Sequence, residues 1–139
     1  MIESKIPDNL EFTHIQQLVE EFWLDNADMQ IQQFRILSEN GTLIAFGRLR
    51  EHTDATELCT LGVAKEFQGK GYGEKMVKEL INGAKRDVFL VTVIPGFFLK
   101  CGFEFVENYP ESLQKKVEMC STHYHVGETY RVMKLKNNP

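Results

Sequence analysis

A short glycine-rich turn between a strand-like stretch and a helix-like one constrains this chain most. Its six residues are Gln68, Gly69, Lys70, Gly71, Tyr72 and Gly73. Apolar residues then recur at helical spacing, at Met76, Val77, Leu80 and Ile81. Glycine lets the backbone approach a ligand closely, and the start of a helix exposes unpaired N–H groups at the positive end of its dipole. With Lys70 as a mobile cation, the turn predicts an anion site, most naturally for phosphate.

The two commonest phosphate-binding loops do not match this turn. A P-loop requires G-x-x-x-x-G-K-[ST], which is absent from the sequence. A Rossmann turn requires G-x-G-x-x-G, but Glu74 stands where the third glycine would follow Gly69 and Gly71. A glycine-rich connection without any ligand is the alternative that the turn alone leaves open.

The rest of the chain predicts a mixed α/β fold. Asp8 and Glu11 have capping-box spacing before a helical stripe, and Asn40-Gly41 is a strong hairpin signal. Residues 25–29 are a break or a short second helix, and residues 110–126 are left unassigned. In order, we predict a helix over 9–23, strands from 34 and over 42–50 and 55–63, the glycine turn with its helix, a buried strand over 88–93, a short helix over 97–101, and strands over 103–106 and 128–135. The strand–helix–strand crossover requires at least one parallel pair.

Size and charge narrow the classes of function. A chain of 139 residues with 42% hydrophobic residues fits a single domain over 1–139. The net charge of −4 argues against a broad nucleic-acid surface. No apolar stretch is long enough for a membrane span, no secretory signal is visible, and three cysteines favour reduced thiols. We therefore expect a cytoplasmic protein with neither a nucleic-acid nor a membrane partner.

Two motifs together resemble a known family. Residues 61–73, LGVAKEFQGKGYG, are similar to the acetyl-CoA signature of the GNAT superfamily of N-acyltransferases, with Gln68, Gly71 and Gly73 at the defining positions of [Q/R]-x-x-G-x-[G/A]. Residues 97–103, FFLKCGF, resemble the family's F-Y-x-K-x-G-F segment. The resemblance covers about residues 9–135. It implies a mostly antiparallel sheet with a central parallel pair, flanked by helices.

The resemblance also implies acetyl-CoA as co-substrate and a set of residues that bind it. The pyrophosphate would lie on the amides of Gln68 through Gly73, with Lys70 nearby. The pantetheine arm would run along Leu61, Gly62 and Val63, where the strand over 55–63 and the buried strand splay apart, and Phe98 would also belong to the cofactor site. An N–H near Leu61 would polarise the thioester carbonyl as an oxyanion donor.

Glu57 is the predicted general base, because an amine must lose a proton before it attacks the thioester. It lies four residues before Leu61, where several family members carry a glutamate, and strand parity places it beside apolar neighbours. A solvated edge-strand glutamate is the alternative.

Phe98 departs from the family, since many members have a tyrosine there as general acid. Tyr109, Tyr124, Tyr130, water or unassisted thiolate departure stay open as replacements.

The acceptor is less constrained than the donor. Residues 57–63 and the segment from 97 onward resemble the acetyltransferase domain of N-acetylglutamate synthases, which implies a primary amine of a small molecule, such as an amino acid. Four arginines on predicted strands are either its cationic partners or surface charge: Arg35, Arg48, Arg50 and Arg131.

A non-catalytic CoA-binding module for sensing or assembly is the second hypothesis, favoured by Phe98. A protein or peptide acetyltransferase ranks lower, because the acidic chain gives no sign of docking to basic tails.

Two remaining segments carry weaker expectations. Cys120, His123 and His125 could be metal ligands, with both histidines on one strand face, but zinc requires three or four ligands at workable spacing and we predict no metal. His14 and His52 are given no role. The N-terminus leaves at most residues 4–6 for a first strand. A homodimer that completes this edge is therefore a hypothesis.

Overall fold

The computed structural model describes residues 1–123 and 129–136. Within them it has seven strands and four α-helices. In chain order these are β1 (Ile2–Lys5), α1 (Asn9–Glu21), β2 (Phe34–Glu39), β3 (Thr42–Glu51), β4 (Thr56–Val63), α2 (Tyr72–Asn82), β5 (Val88–Thr92), α3 (Pro95–Lys100), β6 (Phe103–Phe105), α4 (Glu111–His123) and β7 (Arg131–Leu135). In this part of the chain no helix has the length and apolar character needed to cross a bilayer.

The strands form one sheet in the order β1-β2-β3-β4-β5-β7-β6. β1 with β2, β2 with β3, β5 with β7 and β6 with β7 are antiparallel. β4 and β5 are parallel, with Thr56 opposite Val88 and Glu57 opposite Phe89. The predicted fold class, a mostly antiparallel mixed sheet with one parallel pair and flanking helices, is confirmed. The chain divides into two compact units: unit 1 is Met1–Arg50 with Leu58–Gly83, and unit 2 is Glu51–Glu57 with Ala84–Pro139.

The core of unit 1 is built by α1 against β2 and β3. The predicted capping box is present, because Asp8 accepts from the Glu11 amide and Glu11 accepts from the Asp8 amide. The buried residues of this core are Ile15, Leu18, Val19, Phe34, Ile36, Leu43 and Phe46. α1 ends at Glu21, two residues before the prediction, and Trp23 beyond it has a φ of 56°. Residues 25–29 form no helix; a single 3-10 turn follows at Ile31–Gln33.

The strands of unit 1 agree with the prediction from the sequence, except for the first strand. Asn40 and Gly41 both have positive φ, 52° and 79°, as the predicted hairpin requires. The first strand is wrong in its bounds, because β1 spans Ile2–Lys5 and pairs along its length with β2. Its register runs from Ile2 opposite Glu39 to Lys5 opposite Ile36. The edge that motivated the homodimer hypothesis is thus occupied by the chain itself.

Unit 2 contains the start of β4 and all elements from β5 to β7. Its core is formed by Ala55, Phe89, Leu113 and Val132, with Tyr109 and Val117 among the side chains packed against it. Leu113 and Val117 come from α4, a helix that the sequence analysis left unassigned. α3 begins at Pro95, two residues before the prediction, because proline is well suited to the first position of a helix.

Candidate active site

The glycine turn of unit 1 leads into α2 in the conformation that its residues favour. Gly69 and Gly71 have φ values of 78° and 86°, a region that costs other residues energy. Gly71 is the N-cap of α2 and offers no side-chain cap, so the first N–H groups of the helix are not covered by a capping side chain. A Cβ built at either glycine would have no heavy atom within 4 Å. The space beside both residues is therefore open to a ligand.

The side chains of the turn brace its backbone. Gln68 Nε2 donates to the carbonyl oxygen of Val63 at 3.0 Å, which ties the turn to the end of β4. The Tyr72 ring meets the Phe67 ring edge-on at 6.0 Å, and Lys70 Nζ lies 5.9 Å from the Phe67 ring centroid. Lys70 is exposed, and Gly73 lies in the first turn of α2. The turn thus presents one mobile cation and a fixed backbone.

β4 departs from regular strand geometry at Thr60. This β-branched residue has a φ of 55°, which is rare and costly. Its hydroxyl is held by Arg48 Nε at 2.8 Å and donates to the Asp25 carbonyl at 2.8 Å. Arg48 is fully buried and pairs with the Asp25 carboxylate at 3.5 Å. The positive φ of Thr60 interrupts the regular alternation of side chains along β4, so strand parity alone does not predict the face on which Leu61 lies.

The three residues after Thr60 have different surroundings. Leu61 and Val63 are half-buried, whereas Gly62 is buried. A Cβ on Gly62 would lie 2.4 Å from the Phe46 ring, so this glycine is explained by close packing inside unit 1. Leu61 and Val63 are the members of the predicted cofactor strand that keep some exposed surface.

Glu57, in unit 2, is enclosed and paired. Its side chain is 1% exposed. One carboxylate oxygen, Oε1, lies 2.8 Å from His52 Nε2, and the other, Oε2, is in a short contact with Lys116 Nζ from α4. The alternative of a solvated glutamate is therefore wrong. A cation and an imidazole surround this carboxylate.

The turn between β3 and β4 carries His52 and is braced from two sides. Arg86 donates to the carbonyl oxygens of His52, Thr53 and Ala55, and its guanidinium also pairs with Glu51 at 3.1 Å. Asp54 accepts from the Ser112 amide at 3.2 Å and so caps the start of α4. Hydrogen bonding by Ser112 holds the pKa of the Asp54 carboxyl below its usual range.

Phe98 and two of the candidate general acids, Tyr109 and Tyr130, lie in packed surroundings of unit 2. Phe98 is buried, with its ring edge-on to Phe97 at 4.9 Å and to Phe103 at 5.9 Å. Tyr109 packs against the apolar core of unit 2. The Tyr130 hydroxyl is buried, and Tyr124 lies outside the described residues.

The candidate arginines have partners inside their own unit. Arg35 Nε donates to Ser4 Oγ at 2.7 Å, and Arg50 pairs with Asp28 at 2.7 Å. Arg48 is buried in the Thr60 network, which makes its interpretation as surface charge wrong. Arg131 is exposed and stacks over the Phe105 ring at 4.1 Å.

The candidate metal ligands Cys120 and His123 lie on a helix and not on the predicted strand. His123 is the last residue of α4 rather than part of a strand, because the helix extends through Cys120. Cys120 is buried on that helix. His125 lies outside the described residues.

The sequence analysis missed the two side chains that contact Glu57, which are His52 and Lys116. It also missed Arg86, which binds the backbone of the turn that carries His52. Lys116 lies in an apolar stripe with Leu113, Val117 and Cys120, at helical spacing, and this stripe was the available signal for α4. His52 and Arg86 carry no pattern of their own. They meet because the parallel pairing of Thr56 with Val88 brings the start of β5 beside the turn before β4.

The sheet is mixed and has the strand order given above, and a glycine turn leads into the N-terminus of α2. This arrangement is typical of an acyltransferase-type fold. The model of the acetyltransferase (GNAT) family matches residues 3–103. The chain therefore belongs to the acetyltransferase (GNAT) family. The family prediction is confirmed, and with it the predicted class of enzyme, an acetyl-CoA-dependent N-acetyltransferase.

Individual relatives are more distant. The chain is 25% identical over 104 residues to the uncharacterized N-acetyltransferase CT2212 of Chlorobaculum tepidum, an alignment that covers 70% of this chain and 67% of that one. It is similar in fold to N-acetylglutamate synthase from Neisseria gonorrhoeae complexed with coenzyme A and N-acetyl-glutamate, with a TM-score of 0.81 and 19% identity. That match covers 100% of this chain and 36% of the synthase, so the chain spans about a third of that relative.

A third relative matches in length as well as in fold. Rv2747 from Mycobacterium tuberculosis, in complex with CoA and NLQ, has a TM-score of 0.76 and 20% identity. The match covers 98% of this chain and 99% of that one. Likeness at these identities concerns the fold.

Proposed function

We propose that this chain transfers the acetyl group of acetyl-CoA directly to the primary amine of a small molecule, with an amino acid as the acceptor class. The observation that carries the proposal is the open, uncapped N-terminus of α2 behind Gly69 and Gly71, inside the segment that the family model matches. Helix N-termini of this kind bind phosphate through backbone N–H groups and the helix dipole.

The residues of the turn fit a pyrophosphate. The amides from Gly69 to Gly73 supply donors, whereas the Gln68 amide already donates to the Lys65 carbonyl at 3.3 Å. Lys70 supplies a mobile positive charge, and the missing side chains at Gly69 and Gly71 leave room for the ligand. Acetyl-CoA, bound there, would supply the acetyl group as an activated thioester. Leu61 and Val63 offer backbone groups for the pantetheine arm, as an added strand would use them.

The backbone N–H at Leu61 is the proposed oxyanion donor. Support comes from Thr60, whose positive φ is maintained by the buried Arg48 and therefore fixes the backbone directly before Leu61. A donor held in place before the reaction stabilises developing negative charge without having to reorganise. The role of Phe98 in the cofactor site stays a proposal that its buried ring does not favour.

Glu57 is the proposed general base of the transfer. Its negative charge, adjacent to an imidazole, favours removal of a proton from the acceptor's ammonium group. Chemically, the ammonium loses one proton and the neutral amine attacks the thioester carbon. The tetrahedral intermediate then breaks its C–S bond, and the second nitrogen proton neutralises the leaving thiolate. Each turnover therefore yields an amide, a free thiol and one proton in solution.

An amino acid as acceptor is supported by two relatives of the same fold. One holds coenzyme A with N-acetyl-glutamate, and the other holds CoA with NLQ. In this chain Arg131 is an exposed arginine on a described strand and is the proposed partner for an acceptor carboxylate. Arg35, Arg48 and Arg50 are less suited, because each is engaged with a neighbour in its own unit.

A thiol-release assay tests the proposal. Acetyl-CoA is supplied with amino acids, polyamines or short peptides, and release of CoA thiol is followed with a chromogenic disulfide. We expect release with an amino acid, and we expect Glu57→Gln to lower the turnover number by about 100-fold or more while acetyl-CoA still binds by calorimetry. Turnover of the Glu57→Gln variant at the wild-type rate would remove Glu57 from the mechanism.

A non-catalytic CoA-binding module is the second candidate, because Phe98 offers no proton where a general acid is usual and both oxygens of Glu57 are occupied. Such a module would bind acetyl-CoA yet release no thiol with any amine, whereas a peptide acetyltransferase would release it with peptides. A cytoplasmic location and a homodimer remain predictions, and light scattering at micromolar concentration tests the latter.

A further inference from the structure

Three titratable side chains of unit 2 form a continuous chain from the interior to the surface. Lys116 is 8% exposed and contacts Glu57 Oε2. Glu57 is 1% exposed, and its Oε1 lies 2.8 Å from His52 Nε2. His52 is 21% exposed, the largest value of the three. An acceptor amine in solution therefore meets the imidazole before it meets the buried carboxylate.

The hydrogen bond between Glu57 and His52 fixes which imidazole nitrogen is basic. An ionised carboxylate only accepts hydrogen bonds, so the hydrogen of this bond is on Nε2. A neutral imidazole with hydrogen on Nε2 has its lone pair on Nδ1. Among the described residues, Nδ1 makes no hydrogen bond. The geometry thus leaves a basic nitrogen oriented by a buried carboxylate, the arrangement that activates histidine in acyl-transfer enzymes.

We propose that His52 Nδ1, and not the carboxylate of Glu57 itself, takes the proton from the acceptor's ammonium group, so that Glu57 acts through His52 and is, with Lys116, a positioning residue. This proposal rests on the proposed acetyl transfer and changes only which atom of it serves as the base. The N–H bond of the ammonium breaks, its electron pair stays on nitrogen for attack on the thioester carbon, and an N–H bond forms at Nδ1. Glu57 stabilises the imidazolium that results. The imidazolium then returns its proton to water.

The charged groups around His52 agree with this role. Glu57 faces the ring from β4, and Asp54 supplies a second carboxylate in the turn that carries His52. Of the nearby cations, Lys116 on α4 is paired with Glu57, and Arg86 before β5 is paired with Glu51. Arg86 also binds the His52 carbonyl, so the backbone that carries the imidazole is held from outside its own turn.

Thiol release by His52→Gln, compared with His14→Gln, tests the kinetic part of the proposal. His14 is an exposed histidine on α1 and serves as the matched control. We expect His52→Gln to lower the turnover number by about 100-fold or more, with KM for acetyl-CoA unchanged, and His14→Gln to behave as wild type. In His52→Ala, added imidazole should restore part of the turnover, which it would not do if His52 only supported the fold.

A spectroscopic measurement tests the geometry without activity. In the wild-type chain labelled with ¹⁵N-histidine, long-range ¹H–¹⁵N spectra at alkaline pH should show His52 with hydrogen on Nε2 and a bare Nδ1. Glu57→Gln should move the resonance of the Nε2 proton upfield, because a neutral amide oxygen accepts a weaker hydrogen bond than a carboxylate does. The opposite tautomer overturns the proposal. Full turnover of His52→Gln beside an inactive Glu57→Gln also overturns it while leaving the proposed function intact. No thiol release by the wild-type chain overturns the proposed function, and this proposal with it.

Discussion

Replacing Lys116 by methionine removes the charge that neutralises a buried carboxylate. Glu57 is 1% exposed and Lys116 is 8% exposed, so water does not compensate either group. Breaking a buried ion pair by removing one partner costs about 3–5 kcal/mol. Because His52 still contacts Glu57 Oε1 in the variant, we expect the lower end, about 3 kcal/mol. For 139 residues the unfolding entropy is about 290 cal/mol/K, so the melting temperature should fall by about 10 °C.

The neighbouring residue provides a matched control. Lys115 pairs with Glu111 along α4, but both side chains are 75% exposed, and such pairs contribute less than about 0.5 kcal/mol. Urea unfolding followed by circular dichroism should therefore separate Lys116→Met from Lys115→Met by more than about 2 kcal/mol. The double variant Lys116→Met with Glu57→Gln should recover about 1–2 kcal/mol, because it removes the uncompensated charge.

Two results would refute this reasoning. If Lys116→Met were as stable as Lys115→Met, the pair would contribute nothing in the folded protein. If the double variant were no more stable than Lys116→Met alone, the loss would come from packing of the lysine's aliphatic chain and not from the unpaired carboxylate.

Two further predictions concern the glycine turn and the cap of α4. Gly71→Ala should cost about 1–2 kcal/mol, since an L-residue must adopt a φ of 86°, and it should weaken acetyl-CoA binding in calorimetry; Gly41→Ala, at a φ of 79° in the hairpin, should cost as much and leave binding unchanged, and equal binding by both variants would contradict the assigned site. The lowered pKa of Asp54 means that its charge stabilises the fold above the ordinary value of 3.8 and that this contribution is lost as the pH falls through the folded pKa. Melting temperatures of wild type and Asp54→Asn should therefore differ at neutral pH and converge in acid, and a difference independent of pH would contradict this account.

Local signals were the part of the fold that could be predicted from the sequence. The Asp8 capping box and the Asn40-Gly41 turn act through residues three positions apart or less, so their outcome does not depend on the rest of the chain. The apolar run of β5 likewise predicts a buried strand without information from the rest of the chain. The bounds of α1 and α3 differed by two residues, because Trp23 leaves helical geometry and Pro95 starts a helix.

Long-range contacts explain what could not be predicted. A lysine in an apolar helical stripe becomes intelligible only when its carboxylate partner, 59 positions earlier, is known. Strand parity along β4 could not predict the polar partners of Glu57, because His52 lies in the preceding turn and Lys116 lies on α4. The role of His52 could not be predicted either, because its imidazole gains one only through its contact with the buried carboxylate of Glu57.

The cap of α4 has a consequence for how the chain folds. The Ser112 amide at its first turn is satisfied by Asp54, 58 positions away, and the lysine on its inner face by a glutamate 59 positions away. Each contact requires closure of a long loop, whose entropy must be lost before the contact contributes. We therefore expect α4 to form after the rate-limiting barrier, while the N-terminal hairpin, closed by two residues, forms before it.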